Sequence, residues 1–202
     1  MWRLLKELYY KPKFDKKGVK MPNREDALKL LKKYNGDALV NHGLAVEIAM
    51  KHFAKKWEED EEKWGIVGLL HDLDYEKYPD EHCYKTKEIL EPLGYSDEII
   101  RAIMSHGWGI CTDIEPKSKM EKTLYAVDEL TGLITACALV RPSKSVMDLE
   151  VKSVKKKFKQ KSFAAGANRE VIQKGASMLD LELGELISEV ILAMRELEIY
   201  KS

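Results

Sequence analysis

The chain has 202 residues, 45% of them apolar and 34% charged, with 34 Lys plus Arg set against 34 Asp plus Glu. That is about one domain's worth on the usual ~100–200 residues per domain, and enough to bury a sizeable core. Zero net charge disfavours a dedicated nucleic-acid coat, and no apolar run reaches the ~18 residues of a membrane helix. Cys83, Cys111 and Cys137 show no C-x-x-C spacing, which argues against a disulfide scaffold or zinc ribbon and fits a reducing compartment. The start of the chain lacks an apolar signal-peptide segment, so the expected location is the cytoplasm.

The elements read as helices throughout. Residues 1–10 form a short amphipathic helix closed by Lys11-Pro12, and a basic loop runs to Pro22. Asn23 caps a helix over about 24–34 that ends at Asn35-Gly36. Asp37 caps the next, to about residue 56, with an inner stripe of Ala38, His42, Ala45, Ala49 and Phe53. The acidic run 57–63 is a solvated helix start, and Trp64 to His71 is a buried helix that breaks near Asp74-Tyr75. A helix over 81–91 stops at Pro92 and Gly94, and Ser96 caps another through Met104. Residues 106–117 are loop. Ser118 and Glu121 make a capping box for a long helix to about Val140, stopped by Arg141-Pro142. Three helices follow, near 146–158, 168–179 and 181–199. The basic run Lys152–Lys161 has Val151, Val154 and Phe158 at helical spacing and reads as a solvated cationic face. No segment shows strand periodicity. The expectation is one all-α domain over 1–202, with a core at about 24–141 and a C-terminal helical extension at about 142–202.

Four of the five histidines fall at helix ends or on an inner helix face. His42 is on the alanine stripe, His71 ends the most apolar segment and is followed by Asp72, His82 follows a short loop, and His106 closes its helix. Asp128 lies inside the apolar stretch Leu124–Leu133. Burying several imidazoles and two carboxylates in an apolar core requires compensating charge, and a metal ion supplies it. Imidazole with carboxylate suits iron, manganese, zinc and similar divalent ions. Adjacent helical residues point about 100° apart, so His71 and Asp72 can face one cluster only where the helix ends. His52, ten residues beyond His42, is off that face and is left out.

The order His42, His71-Asp72, Asp128, in the contexts Gly-Leu-Leu-His-Asp and Ala-Val-Asp-Glu-Leu, resembles the HD superfamily of metal-dependent phosphohydrolases, which are all-α helical bundles. The two further histidines, His82 and His106, resemble the dinuclear branch with the pattern His…His-Asp…His…His…Asp. That branch includes bacterial diadenosine tetraphosphate hydrolases and cyclic-dinucleotide phosphodiesterases. The Gly-Tyr-Pro signature of the latter is missing here, which counts against their substrate. The 140–202 tail, with Ser162-Phe-Ala-Ala-Gly-Ala-Asn-Arg169, is similar to predicted HD hydrolases and gives no substrate.

The resemblance implies that His42, His71, Asp72 and Asp128 hold one metal and that Asp72 bridges to a second, held also by His82 and His106. Fe or Mn leads, with Zn, Mg, Ni or Co as further candidates. Paired ions activate water for in-line displacement at phosphorus, so no nucleophilic side chain is required. His71, Asp72 and Asp128 are accordingly the catalytic set. The chain has no Gly-x-Ser-x-Gly elbow. Cys83 reads as a small core residue. A phosphoester transition state also calls for cations, and the candidates are Lys117, Lys119, Arg141 and Arg169. Asp74 is either a loop cap or an acceptor orienting a histidine. Glu129 is expected to point away from Asp128, and Trp108 either packs or stacks on a base. The expected substrate is a nucleotide or other small phosphoester, with oligomeric state open. The alternatives are a di-iron oxygenase acting on a small polar substrate and a non-catalytic nucleotide-binding module.

Overall fold

A computed structural model describes residues 23–199 of the chain. The expected helix at 1–10, its Lys11-Pro12 stop and the loop to Pro22 lie outside the described residues. Those described form nine α-helices and no β-strand, an all-α fold. None of these helices is long and apolar enough to cross a membrane.

Helix α1 (Arg24–Tyr34) starts where the Asn23 side chain accepts the Asp26 N–H at 3.0 Å. It ends at Asn35, whose side-chain amide donates to the Leu73 carbonyl at 2.9 Å. Helix α2 (Asp37–Lys56) takes Gly36 rather than Asp37 as its cap residue, and the Gly36 N–H is held by the Glu76 carboxylate at 2.7 Å. Ala38 is exposed, contrary to the expected inner stripe, because the first turn of α2 buries Val40, two positions and about 200° round the helix from it. Helix α3 (Glu61–Leu70) is capped by Asp60, and Trp64 to Leu70 are all buried.

Helices α2 and α3 make the most extensive contact in the fold. Two glycines allow it. A Cβ at Gly43 would sit 2.9 Å from the Leu69 carbonyl oxygen, and one at Gly68 would sit 2.9 Å from that of Val46. The close approach brings His42 on α2 beside His71 at the end of α3.

The helix expected at 81–91 is broken. A 3₁₀ turn spans Pro79–Glu81, α4 runs Tyr84–Leu90, and a second 3₁₀ turn spans Glu91–Leu93. The start of α4 is set from outside: Asp74 accepts the Thr86 N–H at 2.8 Å, and Cys83 takes φ 70° just before the helix. Helix α5 (Asp97–Ser105) begins at the Ser96 cap, and α6 (Lys119–Leu139) at the Ser118/Glu121 capping box. Helix α7 (Val151–Phe158) starts later than expected. Residues 143–148 bond locally instead, Ser143 to the Asp148 carboxylate and the Met147 N–H to Ser145 Oγ. In α7 Val154 is buried and Lys152, Lys155 and Lys156 face solvent. Helix α8 (Arg169–Met178) begins at Asn168, and α9 (Leu183–Ile199) packs on α2, α6 and α7. Phe53, Trp64, Leu69, Leu70, Ile103, Leu124 and Leu130 fill the core between them. His52 lies away from the other histidines and pairs with Glu189 of α9 at 2.6 Å.

Candidate metal centre

His71 is the C-cap of α3 and Asp72 enters the turn that follows, so the chain rotates where two adjacent residues must face one point. His106 likewise closes α5. His42 comes from the second turn of α2, Asp128 from the middle of α6, and His82 from the turn before α4. These six converge.

Their geometry divides into two halves around Asp72. On one side His42 Nε2 lies 2.9 Å from Asp128 Oδ1 and 3.2 Å from His71 Nε2, and His71 Nε2 lies 3.1 Å from Asp128 Oδ1. Asp72 Oδ2 faces this group, 3.4 Å from His71 and 3.8 Å from His42. On the other side His82 Nε2 and His106 Nε2 are 3.1 Å apart, and each is 3.5 Å from Asp72 Oδ1. One carboxylate thus offers one oxygen to each half.

The outer ring nitrogens fix the tautomers. His71 Nδ1 donates to the Gly68 carbonyl at 2.8 Å, His106 Nδ1 to that of Ile103 at 2.5 Å, and His82 Nδ1 to Asp74 Oδ1 at 2.7 Å. Asp74 is fully buried. With hydrogens on Nδ1, a neutral ring presents a bare Nε2 lone pair inward. His82 and His106 then oppose two lone pairs at 3.1 Å, an arrangement that requires a proton or a cation between or beside them.

The electrostatics agree. Burial alone would depress His71, but Asp72 and Asp128 more than offset it and raise its pKa well above the ordinary value. Burial opposes and the Asp72 bond raises that of His106. Burial would raise Asp72 and Asp128, yet the His71 charge beside them holds both far below the usual carboxylate range. The donor set is one that attracts positive charge and fits divalent ions: His42, His71 and Asp128 could hold one, and a second histidine cluster with Asp72 could hold another. Cys83 is also near that second cluster, but its sulfur lies 3.9 Å from Nδ1 of His106, on the far side of the ring from Nε2. Cys83 is buried and contacts Cys111 Sγ at 3.5 Å.

A cavity of about 650 Å³ opens onto this centre. Lys117, Lys119, Arg141 and Arg169 do not line it. Lys117 lines a separate cavity with Asp97, Arg101 and Asp113. Lys119 places its ammonium over the Trp57 ring. Asp128 lies nine positions after Lys119 on α6, about 14 Å along the axis. Arg141 is bound to Asp148 at 2.7 Å. Arg169 donates to the Ala164 carbonyl at 2.6 Å, the Ala167 carbonyl at 2.5 Å and the Phe163 carbonyl, so its role here is to hold the loop 163–168. Trp108 packs against Tyr125 beneath the Lys174 ammonium, and the aromatic ring that lines the cavity is Tyr75, edge-on to His82.

Glu129 corrects a second expectation. It lines the cavity beside Asp128 because the Asn168 N–H, reaching over from the 163–168 loop, binds its carboxylate at 3.0 Å. Burial and the Asp128 charge raise its pKa. Leu39, Ile110 and Val171 complete much of the wall and carried no chemical signal in the sequence. Leu39 alone had a positional one, three residues before His42 on the same helix face.

The HD domain family model matches residues 39–133, an interval that contains all six converging residues. HD domains are typically metal-dependent phosphohydrolases, and both His/Asp clusters lie within the matched interval. No curated protein and no solved structure matches the chain.

Proposed function

We propose that the protein is a metal-dependent phosphohydrolase of the dinuclear HD type, cleaving a small phosphoester such as a nucleotide. The observation that carries this reading is the Asp72 carboxylate, with one oxygen toward the His42, His71 and Asp128 group and the other toward His82 and His106. These six residues would hold two divalent ions, Fe or Mn foremost. When bound, the ions supply an activated water and offset charge on the phosphoryl oxygens.

The chain's own residues do the rest. Gly68 and Ile103 carbonyls hold His71 and His106 in the tautomer that leaves Nε2 free. Asp74 does the same for His82 from a fully buried position, and such outer partners sharpen both orientation and basicity. The Asn168 N–H fixes Glu129 at the cavity wall. No Ser or Cys nucleophile is needed, and the Cys83 thiol, its pKa pushed up by its bond to Cys111 and by burial, is unsuited to be one.

Elemental analysis of the full chain, as purified and after reconstitution with iron or manganese, tests the reading. Two ions per chain are expected, with both reduced in Asp72→Ala and one lost in His82→Ala. Phosphate release from a phosphoester panel under anaerobic conditions should follow metal content. Turnover that requires dioxygen, or a protein that takes up no metal, overturns the proposal.

A further inference from the structure

The lining of the site cavity says what kind of phosphoester it takes. Among the described residues it contains no lysine and no arginine. Beyond the six convergent residues its ionisable groups are Glu129, Tyr75 and Cys111, none of them a cation. The cationic candidates nearby are committed elsewhere: Arg169 to three loop carbonyls and Lys174 to the face of Trp108.

The remaining wall is apolar apart from Asn168. Leu39 of α2, Val171 of α8 and Ala164 and Ala167 of the 163–168 loop line it, together with the exposed Ile110 and Tyr75. Ile110 is 62% and Tyr75 49% exposed, so both are open to a bound organic group. The volume, about 650 Å³, is in the range that encloses a small organic molecule rather than a single inorganic ion.

Charge balance points the same way. Two divalent ions bring four positive charges and Asp72, Asp128 and Glu129 cancel three, so one phosphoryl group of about −1.5 to −2 already uses up the positive charge that remains. Further phosphate or carboxylate groups would meet no cation among the described lining residues, and they would come up against Glu129, whose carboxylate is anchored in place by the Asn168 N–H. A like-charge contact in a partly dry cavity is a strong element of rejection.

We infer that this site selects a phosphomonoester whose organic part is apolar or aromatic and carries no further negative charge, with Glu129 as the specificity-determining residue against polyanions. The inference rests on the phosphohydrolase reading above. It admits a nucleoside monophosphate and excludes nucleoside triphosphates and dinucleoside polyphosphates as preferred substrates.

Equilibrium binding of non-hydrolysable phosphonates to the manganese-loaded full chain tests it without relying on turnover. Phenylphosphonate, propylphosphonate and 2-carboxyethylphosphonate share the phosphoryl mimic and differ in the organic part. Phenylphosphonate should bind at least about tenfold more tightly than 2-carboxyethylphosphonate, with propylphosphonate between them. Glu129→Gln keeps the Asn168 bond and should tighten 2-carboxyethylphosphonate by about threefold or more, with little change for phenylphosphonate. Ile110→Lys, at an exposed position, should do the same by adding a cation. Equal or tighter binding of 2-carboxyethylphosphonate by the unaltered chain overturns the substrate class while leaving the phosphohydrolase reading standing. Failure of every phosphonate to bind the loaded protein overturns both.

Discussion

Asp74 holds His82 by its Nδ1–H at 2.7 Å and, with its second oxygen, holds the Thr86 N–H at 2.8 Å. One buried carboxylate therefore both orients an imidazole and starts the helix that follows it. Asp74→Asn can keep only part of this arrangement, because an amide nitrogen cannot accept from Thr86. Loss of such an outer partner typically costs about 10–100-fold in metal affinity. The expected result is selective: the ion beside His82 and His106 weakens by roughly that factor, and the ion beside His42 and His71 is retained. Metal titration followed by elemental analysis checks it, and equal weakening of both ions counts against the division of the centre into two halves.

The close contact of α2 and α3 gives a second prediction. A Cβ on Gly68 would meet the Val46 carbonyl at 2.9 Å, the Glu47 amide at 3.0 Å and Met50 Cγ at 2.9 Å. Two of these are backbone, so the helices must separate. Gly68→Ala should destabilise the fold by about 1–3 kcal/mol and weaken metal binding, since His42 and His71 sit on the two helices being pushed apart. Gly132→Ala in α6 is the contrast. Nothing lies within 4 Å of its added Cβ, and removing a helical glycine should stabilise by about 0.5–1 kcal/mol. Chemical denaturation of the two variants reads both signs.

These relationships differ in how far the sequence discloses them. Helix starts at Asn23, Ser96 and Ser118 were legible because a cap is a local bargain between a side chain and an amide two or three residues on. The convergence of His42, His71, Asp72, His82, His106 and Asp128 was legible because titratable groups are rare in apolar surroundings and each one there demands a partner. The start of α4 was not, since its cap comes from Asp74, twelve residues away. Glu129 was misplaced for a related reason. Helical spacing turns it away from Asp128, but the cavity is wide, and the amide that draws it in belongs to a loop 39 residues downstream. The surroundings of Lys117, Lys119, Arg141 and Arg169 were not legible for want of any local rule: whether an arginine meets a cavity or a loop carbonyl depends on how distant segments fold back.

Arg169 shows what that loop needs. Its guanidinium satisfies the carbonyls of Phe163, Ala164 and Ala167, and Ala164 is held at φ 45°, a conformation alanine adopts reluctantly. Arg169→Ala removes the side-chain donor from all three, leaving Ala164 only its bond from the Ala167 N–H at 3.0 Å, and should cost about 1–3 kcal/mol. Arg169→Lys should restore little, because an ammonium cannot span three acceptors with a planar fork. Hydrogen exchange should quicken over 163–168 in both variants, and KM for phosphoester should rise more than kcat falls. Unchanged exchange in that segment would show that the clasp is not what orders the cavity wall.

The pH response of stability provides the last prediction. Glu121 accepts the Lys117 N–H at 2.6 Å and the Ser118 N–H at 2.8 Å, and it pairs with Arg101. Burial works against its charge, but Arg101 and the two backbone amides outweigh burial and lower its pKa from the ordinary glutamate value. A carboxyl whose pKa is lower in the folded state than in the unfolded one favours folding when ionised. Its contribution is complete above the unfolded value of about 4.3 and is lost as pH falls from there through the folded pKa. The melting temperature should therefore drop more steeply below about pH 5 in the unaltered chain than in Glu121→Gln. At neutral pH the variant should be the less stable of the two, because it keeps the shape of the capping box but not its charge. Parallel melting curves across that range would place the acid sensitivity elsewhere, first of all with Glu189, whose pKa His52 and Lys56 lower against the opposing effect of burial.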